Sequence, residues 1–260
     1  MTQVGIQSGV KLLTDGFATS FPVNLEHRVI ASGVSEGQLI STRGVVNLTT
    51  GPGMDRGGIM WNGTMFRVMG TKLVSVSGAV ITELGDVGGT GPVRLDFSFD
   101  RLAIASDGRL VYWNGTTLTE VTDPDLGQAV DVAFLDGYFA LTDGEFLIVT
   151  ELLDPTQIDA IKYGTAESDP DPVTGVEVLN EELYAIGRET IQVFRNVAGI
   201  NFPFQNIRGA VIPFGCISPH AKCRVIDSIA FVGGGREEPL GVFIVSGGTA
   251  VRISTREIEK

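Results

Sequence analysis

The 260-residue sequence predicts an all-β fold, a β-propeller of four-stranded blades. Three observations carry that expectation. "KLVSVSGAVITEL" (72–84) aligns without a gap on "RLVYWNGTTLTEV" (109–121), setting Leu73 on Leu110, Val74 on Val111, Gly78 on Gly115, Thr82 on Thr119 and Glu83 on Glu120. An Asp or Asn recurs between two apolar segments at positions 62, 100, 136, 180 and 227, at intervals of 38, 36, 44 and 47 residues. Glycine reaches 34 residues, much of it between β-branched segments, and long runs of helix formers are absent.

Each unit reads as a meander. The first two strands are clearest in "VRLDFSFDRLAIA" (93–105) and "VDVAFLDGYFALT" (130–142), with Asp100 and Asp136 at the turn. Asn62, Asn180 and Asp227 occupy the same place in "MWNGTMFRVM" (60–69), "VEVLNEELYAI" (176–186) and "RVIDSIAFV" (224–232). Asp and Asn suit such turns because their side chains bond the nearby backbone and tolerate positive φ. A third strand follows at "KLVSV" (72–76), "RLVYW" (109–113), "EFLIV" (145–149), "TIQVF" (190–194) and "GVFIV" (241–245). Glycine turns usually precede it, and Asp107-Gly108 and Asp143-Gly144 are strong hairpin signals. A fourth strand is legible at "VITEL" (80–84), "LTEV" (118–121), "IDAIKY" (158–163) and "AVRIS" (250–254). The two longer intervals carry insertions at 166–175 and 196–220.

A lone four-stranded sheet cannot bury both faces. Stacking sheets around an axis buries each against its neighbours and leaves only short edges. Alternating large and small residues, as in Leu102-Ala103-Ile104-Ala105 and Phe139-Ala140-Leu141, suit close approach near that axis. Five units are readable, and the segment 25–50 is expected to add strands that close the ring with the last blade. Six blades are therefore expected, with five or seven open. Residues 1–24 are read as an N-terminal arm and 25–260 as a single propeller domain. A two-sheet sandwich is the weaker alternative, because it leaves the period unexplained.

Composition narrows the function. Hydrophobic residues make up 43% and charged residues 19%, the balance of a folded chain. A net charge of −12 argues against a direct grip on duplex DNA, which needs a basic face. No apolar stretch reaches the ~20 residues of a membrane span, and "MTQVGIQSGVKLLTDGF" lacks the apolar region of a secretory signal. Asn47, Asn62 and Asn114 fit the glycosylation pattern but are read as turns. Cys216 and Cys223 flank His220 without zinc-site spacing and are read as reduced thiols.

No catalytic, cofactor or metal residue is assigned. There is no nucleophile elbow and no phosphate loop, Gly70-Thr71-Lys72 being in the wrong order. Asp86, Asp96, Asp100, Asp131 and Asp136 could supply a glycosidase-like carboxylate pair, but no spacing marks one. Ser106-Asp107-Gly108-Arg109-Leu110 resembles a sialidase turn, occurs once and reads as a hairpin. Asp169-Pro170-Asp171-Pro172 is stiffened by its prolines and reads as a rigid connector rather than a calcium loop. The candidate partner-contact residues are Ile200, Phe202 and Phe204 in "GINFPFQNI" (199–207), with Phe17 and Phe21 in the arm. Two readings of the loop stay open: a satellite core tucked under a blade, or an aromatic anchor for a partner.

The chain resembles the packaged-DNA stabilisation proteins of short-tailed bacteriophages, also called tail accessory factors or tail hub proteins. The resemblance lies in "FPVN" (21–24), "FRVMGTKLVSVSG" leading to "ELGDVGGTGPV" (66–93), "LLDPTQIDAIKYGTAESDPDPVTGV" (152–176), "YAIGRETIQVF" (184–194) and "SIAFVGG" to "STREIEK" (228–260). It rests on order and spacing over about residues 20–260. It implies a non-enzymatic virion protein that sits below the portal and adaptor ring, helps retain packaged DNA and is a platform for other tail parts. It further implies a ring of copies, expected to be hexameric, with DNA passing nearby without sequence-specific binding and no membrane partner. The location implied is the virion tail, and the host bacterial cytoplasm before assembly. Members are longer and carry a second β-rich region after the propeller. The alternative function is a propeller binding module that recognises a protein or glycan on its axial face.

Overall fold

A computed structural model describes residues 25–29, 37–41, 44, 46–152, 154–164, 171–246 and 248–255. The chain forms two compact units, Met1–Leu48 and Thr49–Lys260. In the first, β1 (Leu25–Val29) and β2 (Gly37–Ser41) pair antiparallel as a two-stranded sheet.

The second unit is a propeller of five blades, each a four-stranded antiparallel meander from axis to rim. Blade 1 holds β3 (Asp55–Trp61), β4 (Thr64–Met69), β5 (Lys72–Ser77) and β6 (Val80–Asp86). Blade 2 holds β7 (Val93–Phe97), β8 (Leu102–Ser106), β9 (Arg109–Trp113) and β10 (Leu118–Glu120). Blade 3 holds β11 (Asp131–Leu135), β12 (Tyr138–Thr142), β13 (Leu147–Thr150) and β14 (Ile158–Gly164). Blade 4 holds β15 (Gly175–Leu179), β16 (Glu182–Ile186), β17 (Ile191–Asn196) and β18 (Phe204–Ile212). In blade 5 the innermost strand is in two pieces, β19 (Gly215–Cys216) and β20 (Lys222–Val225), both paired with β21 (Ser228–Gly234); β22 (Gly241–Ser246) and β23 (Thr249–Arg252) complete it.

Five blades, rather than the six favoured from sequence, are present in this unit. Among its described residues, the segment 25–50 contributes the β1–β2 pair and no four-stranded sheet. The sequence reading also left the fourth strand of blade 4 unassigned. It is β18, supplied by the insertion 196–220, which goes on to provide β19 as well.

Local chemistry explains the turns. Asn62-Gly63, Asp107-Gly108 and Asp136-Gly137 have positive φ at both residues (48° and 74°, 46° and 84°, 52° and 88°), as tight hairpins that match strand twist require. Asp143-Gly144 differs: Asp143 accepts from the Glu145 and Phe146 N–H groups and opens a wider loop. At the turn holding Asp227, the residue with positive φ is instead Ile226, at 53°. Neighbouring innermost strands run parallel, as the Trp61 Nε1–H bond to Ser98 O between the ends of β3 and β7 illustrates. First and third turns of every blade thus share one face, the tip face. Second turns and inter-blade connections share the opposite, linker face.

The core is a set of blade junctions. On β8 and β9, Leu102, Ile104, Val111 and Trp113 face blade 1, whereas Ala103, Ala105, Leu110 and Tyr112 face blade 3. This period of two uses both sheet faces, so β8, β12 and β16 are buried almost end to end. The alanines leave room on one side for the next blade's aromatics, chiefly Phe139, whose ring lies 5.1 Å from Tyr112 and 5.0 Å from Phe134. Blades 3 and 4 repeat the scheme through Ala133, Ala140, Val176 and Leu183, and blades 4 and 5 through Ile186, Ile229, Phe231 and Phe243. Between blades 1 and 2 a buried Arg56 adds a polar staple. Its guanidinium donates to the carbonyls of Gly70, Gly88 and Gly91 and to Ser106 Oγ.

Truncating Phe139 to Ala is expected to cost about 3–5 kcal/mol of unfolding free energy in urea. A loss below ~1 kcal/mol would mean that this junction does not carry the core.

Candidate functional site

The densest concentration of buried charge lies on the axis. The innermost strands present Arg94 and Asp96 from β7, Asp131 from β11, Glu177 from β15, and Lys222 and Arg224 from β20. Alternation puts Arg94 and Asp96 on one face of β7, and Lys222 and Arg224 on one face of β20, and beside the axis these faces meet the side chains of other blades.

The charges are cross-connected. Arg94 Nε donates to Asp131 Oδ1 at 2.8 Å, and its Nη2 lies 3.5 Å from Glu177 Oε2. Lys222 Nζ reaches from blade 5 past blade 4 to Asp131 Oδ2 of blade 3 at 2.9 Å. It also donates to Val176 O at 2.7 Å and approaches Glu177 Oε2 at 3.4 Å. Arg224 reaches Glu177 Oε1 at 3.3 Å. The side chains of Lys222 and Asp131 are both 0% exposed. Gly175 makes their meeting possible: a Cβ there would stand 3.0 Å from Lys222 Cε and 3.1 Å from Asp131 Oδ2.

Each Asp131 oxygen has two donors. Oδ1 accepts from Arg94 and the Val132 N–H, Oδ2 from Lys222 and the Val176 N–H. Burial alone would raise its pKa, but Lys222 and Arg94 outweigh that and hold the carboxyl below its ordinary value. Burial opposes the Arg94 charge in turn, and Asp131 and Glu177 more than restore it. Asp96 differs. Burial pushes its carboxyl up to about 6, although Phe134 and Phe97 donate their N–H groups to it. A fully enclosed carboxylate with four donors cannot act on a substrate. The arrangement pins blades 2 to 5 to one another.

The other carboxylates proposed for a catalytic pair lie apart. Asp86 bonds Thr71 and Lys72 at the rim of blade 1, Asp100 bonds Ser98 and Arg101, and Asp136 accepts from Asn196. The sequence reading passed over Arg94, Glu177, Lys222 and Arg224. Their signal was present: a charged residue inside the apolar innermost strand, with Arg94 on Asp131 in the repeat alignment.

In the partner-contact loop, Phe204 is buried and Phe202 half-buried against blade 3. Phe204 lies 5.9 Å from the Tyr138 ring and 6.3 Å from Phe202, which packs where a side chain on Gly164 would stand. Ile200 is 95% exposed at the loop's tip. Phe17 and Phe21 lie outside the described residues. Cys216 is buried and Cys223 exposed, both as free thiols. Asp171, read from sequence as part of a connector, accepts from the N–H groups of Arg188, Glu189 and Thr190 and so fixes a turn of blade 4. Among the described residues, no group of three His, Cys, Asp or Glu side chains could hold a metal ion, and no helix is long and apolar enough to cross a membrane.

Comparison with known proteins places this geometry. The Phage_stabilise family, described as "Bacteriophage P22 Gp10, beta-propeller", matches residues 2–260. The tail hub protein gp10 of Salmonella phage P22 is 28% identical over 248 residues, covering 87% of this chain and 51% of the relative. The chain thus spans about half the length of that curated relative. Two solved structures of the extracellular domain of BT4673 from B. thetaiotaomicron align over 78% of this chain and 28% of theirs, with TM-scores of 0.52 and 0.51 and identities of 8% and 7%. That likeness is one of fold alone.

Replacing Lys222 with Met leaves Asp131 with Arg94 as its remaining cation and is expected to cost about 2–3 kcal/mol, below the figure for a wholly uncompensated buried charge; adding Asp131→Asn should recover part of the loss in a double-mutant cycle. Two independent, additive losses would contradict the pairing. The Asp96 carboxyl is easier to protonate folded than unfolded, so its contribution is full below its ordinary value of 3.8 and disappears as pH rises through about 6. Because Asp131 and other carboxylates with lowered pKa values act in the opposite sense, the effect is read as a difference: relative to Asp96→Asn, the wild-type protein should lose on the order of 2–3 kcal/mol of stability between these limits. A difference between the two that does not change with pH would contradict the assignment.

Proposed function

The chain belongs to the Phage_stabilise family of bacteriophage β-propellers, and from that premise we propose that it is a structural component of a short-tailed phage's tail. It works there by protein–protein contact. The family match over residues 2–260 carries the reading, and the 28% identity to a P22 tail hub protein supports it. In the finer version, copies form a ring, hexameric in the virion, below the portal and adaptor ring. The ring helps retain packaged DNA and offers other tail parts a platform. The chain accumulates in the host cytoplasm before joining the particle.

The axis supports a non-enzymatic role. Asp131 and Glu177 are engaged by Arg94, Lys222 and Arg224, and Asp96 accepts the N–H groups of Phe97 and Phe134. It also bears on where DNA runs. Side chains that meet across the axis support a path for DNA beside the propeller, through the proposed ring of copies. The net charge of −12 favours sliding over sticking, because an acidic wall repels phosphates. A ligand that entered along the axis itself would have to break these ion pairs.

Peptide mass spectrometry on purified virions and on isolated tail complexes tests the reading. The chain is expected in both, at a stoichiometry comparable to the adaptor ring. Abundance in infected cells with absence from particles would overturn it.

A further inference from the structure

We propose that the tip face is a docking surface for a different tail protein, one that presents apolar side chains rimmed by lysine or arginine and seats its anchor in the cleft between blades 2 and 3. The inference rests on the reading of the chain as a tail component that works by contact.

Every blade places a large apolar side chain on a tip-face turn and leaves it to solvent. They are Val80 (64% exposed), Phe99 (88%), Leu152 (47%), Ile200 (95%) and Ile226 (89%). They come from different turn types with no sequence motif in common, yet the topology gathers them on one side. The linker face differs. Among the described residues its exposed large apolar side chains, Met54, Leu240 and Ile253, belong to blades 1 and 5. Blades 2 and 3 expose Asp107, Asp125 and Glu145 there. Scattered apolar side chains need no explanation, but one per blade on a single face does.

Two details point to a ligand. Phe99 and Leu152 wall a cleft whose lining includes Phe134, Phe139, Arg101 and Pro155, an aromatic pocket between two blades. Arg101 also covers the Tyr112 ring, at 5.8 Å. The second detail is Ile226. The matching turns use Asn62, Asp136 and Asn180 at positive φ, residues that tolerate it. A β-branched residue at 53° pays a conformational cost and, being 89% exposed, regains nothing by packing within this chain.

Charge selects the occupant. Asp136, Asp154, Glu181 and Asp227 are exposed among the apolar tips, against Arg195 and Arg224 as exposed cations, and the cleft's own Arg101 is paired with Asp100. Two copies meeting tip to tip would set carboxylate against carboxylate. A partner with a basic rim is complementary, and the apolar tips would form the desolvated centre of that interface.

The test uses the full chain in assembled tails. A benzophenone amino acid is placed at position 99, at 152, or at 125 on the linker face. Positions 99 and 152 are expected to cross-link to another tail protein, at a peptide with apolar residues flanked by Lys or Arg, and 125 not to reach that peptide. In parallel, Phe99→Ser, Ile200→Ser and Ile226→Asn are combined. Incorporation into tails should fall by about tenfold or more while thermal unfolding of the free chain is unchanged or later, since Asn relieves the strained turn. Cross-links from 99 and 152 only to further copies of this chain would overturn the inference and leave the tail reading standing. So would normal incorporation of the triple variant. Absence of the wild-type chain from particles would overturn both.

Discussion

The propeller depends on one interaction, the reach of Lys222 across the axis to Asp131. Blade 5 contributes the cation and blade 3 the carboxylate, while blade 4 between them supplies Val176 O, Glu177 and the space at Gly175. Three blades are thereby fixed by a single ammonium group. A buried ion pair need not stabilise a fold more than apolar packing would. Its effect here is specificity: a slip of one residue in any innermost strand would turn its charge away from the axis and strand its partners.

Once the innermost strands are set, the rest follows from the period of two. The middle strands of the central blades bury both faces, so each large side chain chooses one neighbouring blade and each alanine makes room for the other. The wedge shape of a blade is expressed in residues such as Ala103 and Ala105 against Phe139 and Tyr112. From sequence those alanines are expected to mark closeness to the axis. In the fold they mark the side on which the next blade's aromatics enter.

A filled axis shifts recognition to the periphery. Propellers that bind ligands along the axis need that space open; here mutual ion pairing occupies it. What remains for partners is the two faces, and among the described residues they differ in kind: every blade sets an exposed large apolar side chain on the tip face, whereas blades 2 and 3 expose polar and charged ones on the other. That asymmetry suits a component with different neighbours above and below.

The blade grammar is legible in the amino-acid order. Repeated apolar segments, and Asp or Asn at positions that demand tight turns, are local chemistry, so the order of strands and most turn positions could be read from the chain. β18 escaped because "FQNIRGAV" carries Asn and Gly inside the strand and weak alternation. The blade count stayed open because closure is a property of the whole ring, and 25–50 reads as strands whatever they pair with. The tertiary structure decided what is non-local. Lys222 and Asp131 lie far apart in sequence, and a lone charge in an apolar strand does not name its partner. Val80, Phe99, Leu152, Ile200 and Ile226 share no spacing; only the topology, which returns every first and third turn to one face, makes them a surface.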